Sequence, residues 1–258
     1  MKQQSAFSPY KAALITGAAA RIGRAMAIDV ASRGIAVVVH HRNSHEEAEI
    51  LTNEIRAAGG KAAHINGDLA EVSKAQSLVS AASEAIGTPI DILINNASIF
   101  EQDTAQTMTE DSWNLHQAVN LRAPVFLSQK MFEQLPSGSE GCIINIIDQR
   151  VLKLNPQYFS YTAAKAALWT ATRTLAQAMA PNVRVNAVSP GPTLANQYQS
   201  ETDFEREASS VMLGSGPEIG EITNGIKFLL ETPSMTGQML TLDGGQHLAW
   251  RTKDLIED

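Results

Sequence analysis

Seven short runs of apolar, largely β-branched residues, at 13–16, 35–40, 62–66, 90–95, 142–147, 183–188 and 238–242, alternate with six amphipathic stretches at 22–33, 45–58, 72–86, 111–134, 158–180 and 218–231. Runs that are apolar at nearly every position, rather than at every second one, suit strands buried on both faces. A helix-length segment between successive runs is long enough for the crossover that joins parallel strands. The pattern predicts an α/β protein: a doubly wound parallel sheet of about seven strands with helices on both faces. The segment 194–216 breaks the rhythm, being polar and ending in Gly214-Ser215-Gly216-Pro217. It reads either as a surface excursion or as a substrate lid, since an irregular insertion after a strand's carboxyl end is where a lid sits.

At 258 residues, 44% hydrophobic and 18% charged, the chain has the composition of a soluble globular protein. No linker or abrupt change of composition interrupts it, so one domain over 10–250 is expected, flanked by a flexible segment 1–9 and a tail 251–258. A net charge of −7 argues against a nucleic-acid partner, which needs a basic face. No apolar run approaches the ~18 residues of a membrane span, and the first nine residues lack the apolar core of a secretory signal. The single cysteine, Cys142, excludes an internal disulfide and reads as a small buried side chain. No metal site is expected, and the compartment is expected to be cytoplasmic.

Four loops carry the signals for a dinucleotide. Thr16-Gly17-Ala18-Ala19-Ala20-Arg21-Ile22-Gly23 lies between the first strand and the first helix. There Gly17 permits a tight turn, Gly23 permits close packing or close approach of a phosphate, and a helix N-terminus attracts anions. After the second strand an Asp or Glu would meet a free ribose 2′-hydroxyl, but the chain has His41-Arg42-Asn43 instead. Donors and positive charge there suit a 2′-phosphate, which favours NADPH over NADH. Gly67-Asp68-Leu69 follows the third strand, placing a carboxylate where an adenine amino group could donate to it. Asn95-Asn96-Ala97-Ser98 follows the fourth, with small and amide side chains that let backbone pass beside a cofactor; both short motifs also suit ordinary turns.

The chemistry is carried by Tyr158-Phe159-Ser160-Tyr161-Thr162-Ala163-Ala164-Lys165, with Asp148 upstream. Tyr161 and Lys165 are four apart on an expected helix and share a face. An ammonium beside a phenol favours phenolate, so Lys165 is expected to lower the Tyr161 pKa toward the range a general acid needs.

With these motifs in order, together with Asn120 and Pro190-Gly191-Pro192-Thr193, the chain resembles the short-chain dehydrogenase/reductase family over nearly its whole length. The resemblance implies one Rossmann-like domain, a nicotinamide cofactor and a homotetramer. It implies Tyr161 as proton donor, Lys165 on the nicotinamide ribose, and Asn120 kinking its helix to position a water. Two departures matter. Arg21 replaces the family's middle glycine, and Asp148 replaces its serine. Both resemble the pteridine reductase branch, including dihydromonapterin reductases, where Phe100 would match the aromatic that sandwiches a pterin against nicotinamide. That branch also brings in a C-terminal arginine, here matched loosely by Trp250-Arg251.

A pterin is flat, with amino, amide and imine nitrogens, and suits one stacking face and several directed hydrogen bonds. The expected reaction is NADPH-dependent reduction of a dihydropterin of the dihydromonapterin, dihydrobiopterin or dihydrofolate type. Asp148, Tyr161, Lys165 and Asn120 would be catalytic, and Arg21, Ser98 and Phe100 would orient the substrate. Cofactor contacts are expected from Gly17, Arg21, Ile22, Gly23, His41, Arg42, Asn43, Asp68, Leu69, Asn96, Ala97, Ser98, Tyr161, Lys165, Pro190 and Gly191. The rivals are a reductase of a ketone, aldehyde or quinone, and a sensor that binds NADP without turnover.

Overall fold

A computed structural model of the protein describes residues 10–196 and 199–252. The expected N-terminal segment 1–9 and most of the tail 251–258 lie outside these residues.

Seven strands form one sheet: β1 (Ala12–Ile15), β2 (Ala36–His41), β3 (Ala62–Asn66), β4 (Ile92–Asn95), β5 (Gly141–Ile146), β6 (Val183–Pro190) and β7 (Met239–Leu242). Their order is β3-β2-β1-β4-β5-β6-β7, and every pair is parallel. The helices are α1 (Arg21–Ser32), α2 (His45–Ala57), α3 (Val72–Ile86), α4 (Glu110–Gln117), α5 (Ala123–Gln134), α6 (Phe159–Met179), α7 (Glu201–Ser209) and α8 (Ile219–Glu231).

Side chains alternate across each strand, and because both faces are covered, both sets are apolar. Ala13, Ile15, Val37, Val39, Ile92, Ile94 and Ile144 face α1, α2 and α8. Ala12, Leu14, Val38, Leu93, Ile143 and Val185 face α3, α5 and α6. Cys142 is free and fully buried, and burial pushes its thiol up to about 11. Among the described residues no helix is long and apolar enough to cross a membrane.

Two elements differ from the expectation. The stretch 111–134 is not one helix: a π-helical turn, Ala118–Arg122, separates α4 from α5. The segment 194–216 is not wholly irregular, because α7 lies inside it. Ser200 starts that helix by accepting from the Asp203 N–H at 3.1 Å, a cap that is local and readable as Ser200 followed three residues later by an acid.

Chain order reverses between β1 and β4: from β1 the chain winds outward to β3, then returns to β4 and winds the other way to β7. A crevice must open at the carboxyl ends of strands flanking such a switch, because the loops leave in opposite directions.

Candidate active site

That crevice is a cleft of about 740 Å³ running from the β1–α1 loop to α7. Its near wall is built by glycines. Gly17 has φ +61°, and a Cβ on it would lie 2.9 Å from Ala97 Cα. A Cβ on Gly23 would lie 2.4 Å from the Gly17 carbonyl oxygen and 2.7 Å from Asn96 Nδ2. The glycines therefore let α1, its loop and the β4 loop close on one another. Hydrogen bonds hold that closure: Asn96 Nδ2 donates to the carbonyls of Thr16 (2.9 Å) and Gly17 (3.0 Å), and Thr16 Oγ1 accepts from the N–H groups of Asn96 (2.9 Å) and Ala97 (3.0 Å).

His40 completes the brace, and sequence reading missed it. Its Nδ1 accepts from the Gly17 N–H at 3.2 Å, and its Nε2 lies 2.9 Å from the Gly67 carbonyl. The first contact needs an unprotonated Nδ1, so the ring is neutral with its proton on Nε2. Burial favours that state, lowering its pKa to about 4.

Arg21 takes φ +55° in the left-handed region, which costs a residue with a Cβ about 1–2 kcal/mol. The backbone thus keeps the shape that suits glycine while carrying a long cation. Its Nη2 donates across the cleft to the Leu194 carbonyl at 3.3 Å. Ala20 offers α1 no side-chain cap, and no acid stands in its first turn. An N-terminus so composed favours an anion.

Arg42, Asp68 and Leu69 line the adjoining part of the cleft, with Asp68 Oδ1 accepting from the Ala70 N–H at 2.8 Å. Two expected cofactor residues do not line it. His41 is 3% exposed and faces α2, because side chains alternate along β2 and His40 takes the other face. Asn43 begins the turn into α2, its carbonyl accepting from the His45 N–H at 3.0 Å.

At the centre, Tyr161 Oη donates to Asp148 Oδ2 at 2.9 Å, and Asp148 Oδ1 accepts from the Arg150 N–H at 2.8 Å. Lys165 Nζ donates to the Ile146 carbonyl at 2.7 Å and lies 5.7 Å from the Tyr161 ring centre. Tyr161 and Lys165 share a face of α6, as their spacing predicted. The expected lowering of the Tyr161 pKa is not found. Burial, followed by the Asp148 charge, holds the phenol well above its usual value. Burial also raises the Asp148 carboxyl and lowers the Lys165 ammonium to about 8, against the pull of Asp148. For Tyr161, desolvation and the Asp148 charge outweigh the opposing pull of Arg150 and the Ser98 hydroxyl.

Asn120 sits in the π-helical turn between α4 and α5. Its Oδ1 accepts from Ile99 N (2.9 Å) and Ser98 Oγ (3.1 Å), and its Nδ2 donates to the Ile99 carbonyl (2.9 Å). The side chain braces the β4 loop and does not line the cleft.

Phe100 stacks on Tyr158, ring centres 4.1 Å apart and planes within 8°. Its edge meets Tyr161 at 4.7 Å, and the Arg150 guanidinium lies 4.8 Å from the Tyr158 ring centre. Tyr158 reaches this position from φ +54°, just before α6. Neither Tyr158 nor Arg150 carried a sequence signal, because nothing local says that a side chain will cross to Phe100. Pro190 and Gly191 line the far wall beside Phe204 and Glu207 of α7, while Trp250 and Arg251 stand exposed and away from the cleft.

Comparison with known proteins agrees with this geometry. A family model described as short chain dehydrogenase matches residues 11–206. The crystal structure of FolM Alternative dihydrofolate reductase 1 from Brucella suis, in complex with NADP, is similar at 47% identity with TM-score 0.92, covering 95% of this chain and 98% of that one. The Brucella canis protein of the same description, complexed with NADP, is 46% identical with TM-score 0.93, covering 98% and 100%. A 3-oxoacyl-[acyl-carrier-protein] reductase FabG from Staphylococcus epidermidis is 29% identical, covering 92% of this chain and 99% of the relative.

Proposed function

The chain belongs to the short-chain dehydrogenase family, and from that premise we propose that it is an NADPH-dependent reductase of a dihydropterin. The observation that carries this reading is the part-buried Tyr161–Asp148 hydrogen bond at 2.9 Å beside the Phe100 ring. A ring nitrogen being reduced needs a proton and tolerates a neighbouring carboxyl, which can also accept from an exocyclic amino group. Similarity to the two Brucella proteins named as dihydrofolate reductases supports the same substrate class.

The cleft fits a phosphorylated dinucleotide on this structure's own terms. The uncapped start of α1 and Arg21 suit a pyrophosphate, and Arg42 suits a 2′-phosphate where an acid would repel it. Asp68, Ala97, Ser98, Pro190 and Gly191 would line the rest of the cofactor, and Lys165 its ribose. When bound, NADPH supplies the hydride. Tyr161 and Asp148 share the hydrogen bond through which a proton would reach nitrogen, and burial raises the pKa of both groups. Lys165, tethered to Ile146, steadies the negative charge left behind. Phe100, with Tyr158 stacked on one face, would offer its other face to a flat ring, and Arg21 and Ser98 stand at the cleft where polar ring edges would lie. Segment 194–216, with α7, would exclude water as a lid.

A second reading, reduction of a 3-oxoacyl thioester or another carbonyl, is favoured by the similarity to FabG. An ionised Asp148 would oppose the negative oxygen of that transition state, whereas a protonated one would not. The test follows loss of nicotinamide absorbance with 7,8-dihydromonapterin, dihydrobiopterin and dihydrofolate beside an acetoacetyl thioester, ketones and quinones. Turnover of dihydropterins is expected; turnover of carbonyl compounds alone overturns the proposal. Asp148→Ser separates the readings further, because pterin turnover should fall ~100-fold or more while a carbonyl reductase keeps its activity.

A further inference from the structure

His41, His45 and His64 converge on the sheet face opposite His40. His64 pairs in register with Val39 on the neighbouring strand, so it points to the same side as His41, two residues further along β2. His45 is the first residue of α2, the helix laid over that face. The rings meet with centre separations of 5.6 Å (His41–His45), 5.6 Å (His41–His64) and 5.0 Å (His45–His64). One nitrogen from each can be chosen so that all lie within 4.8 Å of one another.

Both ring nitrogens of His41 are buried without a hydrogen-bond partner, although the residue is only 3% exposed. A buried polar group left without a partner costs about 1–3 kcal/mol. Such an arrangement is unfavourable unless something else satisfies it.

We propose that His41, His45 and His64 form a binding site for a late first-row divalent cation such as Zn²⁺. Three imidazoles are borderline ligands that suit Zn²⁺, Co²⁺, Ni²⁺ or Cu²⁺ and not the oxygen-seeking Mg²⁺ or Ca²⁺. Metal–nitrogen bonds of about 2.0–2.1 Å require the three nitrogens to draw in by roughly 1 Å. His45 is exposed and can swing inward, which also gives the ion an entry path and leaves a fourth position for water. Glu46 and Glu47, in the same first turn, offset the positive end of α2 that would otherwise repel a cation. The ion would pin β2, β3 and the start of α2 together around the turn that carries Arg42. It stands apart from the cleft and does not depend on the reaction proposed above.

The test uses the full chain without a polyhistidine tag. Zn²⁺ is titrated against a chromophoric chelator, and Co²⁺ is followed by its visible spectrum. One equivalent per chain is expected, with intense tetrahedral-type Co²⁺ bands, and about tenfold or more weaker binding in His45→Ala and in His64→Ala. His45→Ala removes an exposed side chain, so the fold is retained. Absence of saturable binding overturns the proposal, as does binding that both variants leave unchanged. Binding lost in His247→Ala and kept in His45→Ala would put the ion at the Asp243–His247 pair and overturn it equally.

Discussion

Tyr161 keeps its proton because water is excluded from it and because its acceptor, Asp148, is itself a carboxylate. A donor of this kind is active only when a developing base takes the proton, which ties its use to the reaction and not to bulk pH. Replacing Tyr161 by Phe removes the Oη and nothing else. Turnover should fall by ~10³-fold while NADPH affinity, measured by quenching of protein fluorescence, stays nearly unchanged. Lys165 sets the alkaline limit. Its ammonium, held at about 8 by burial, loses its charge as pH rises through that value, so kcat/KM should decline above about 8. A rate profile that stays flat through that range would contradict the role of Lys165 as a cation.

At the scale of elements, the β1–α1 loop carries the most informative conflict between backbone and side chain. Arg21 occupies φ +55°, where glycine would be at ease, and uses its length to reach the Leu194 carbonyl across the cleft. Arg21→Gly should therefore stabilise the loop locally by up to about 1 kcal/mol, read as a small rise in Tm. The same change should raise KM for the substrate severalfold, since the contact between the near wall and segment 194–216 is lost. A fall in Tm with unchanged KM would show that Arg21 is structural. The break between α4 and α5 has a related logic: the π-helical turn places Asn120 so that two hydrogen bonds hold the Ile99 backbone and a third the Ser98 hydroxyl. The amphipathic stretch 111–134 reads as continuous in sequence, and the turn at Ala118–Arg122 divides it.

For the whole molecule, the cleft lies where two halves of the sheet wind apart, and His40 ties the loops after β1 and β3 together on one side of that opening. Its pKa near 4 stands against an ordinary 6.5, so between these values the unfolded chain binds a proton that the folded one refuses. The stability His40 contributes is complete above 6.5 and lost as pH falls toward about 4, a difference of at most on the order of 3 kcal/mol. His40→Ala should lower stability to denaturant at neutral pH, with the gap from wild type closing as the solution is acidified. A gap that widens toward acid would mean that the folded protein holds the ring protonated.

Strand and helix order, the burial of the sheet on both faces and the shared face of Tyr161 and Lys165 follow from local residue spacing, and the chain carries them without any fold to consult. So does the loop of Gly17 and Gly23, whose small size matters wherever backbone meets backbone. Other features depend on which residues distant in sequence come to exclude water together. The Tyr161 shift runs opposite to the expected one because burial and the neighbouring Asp148 raise it. His41 left the cofactor side because strand alternation gave that side to His40, and it joined His45 and His64 instead. Tyr158 covers Phe100 from a different segment of chain. Spacing along a chain determines which side chains share a face; only the packed structure decides what that face meets, and desolvation then sets the charges.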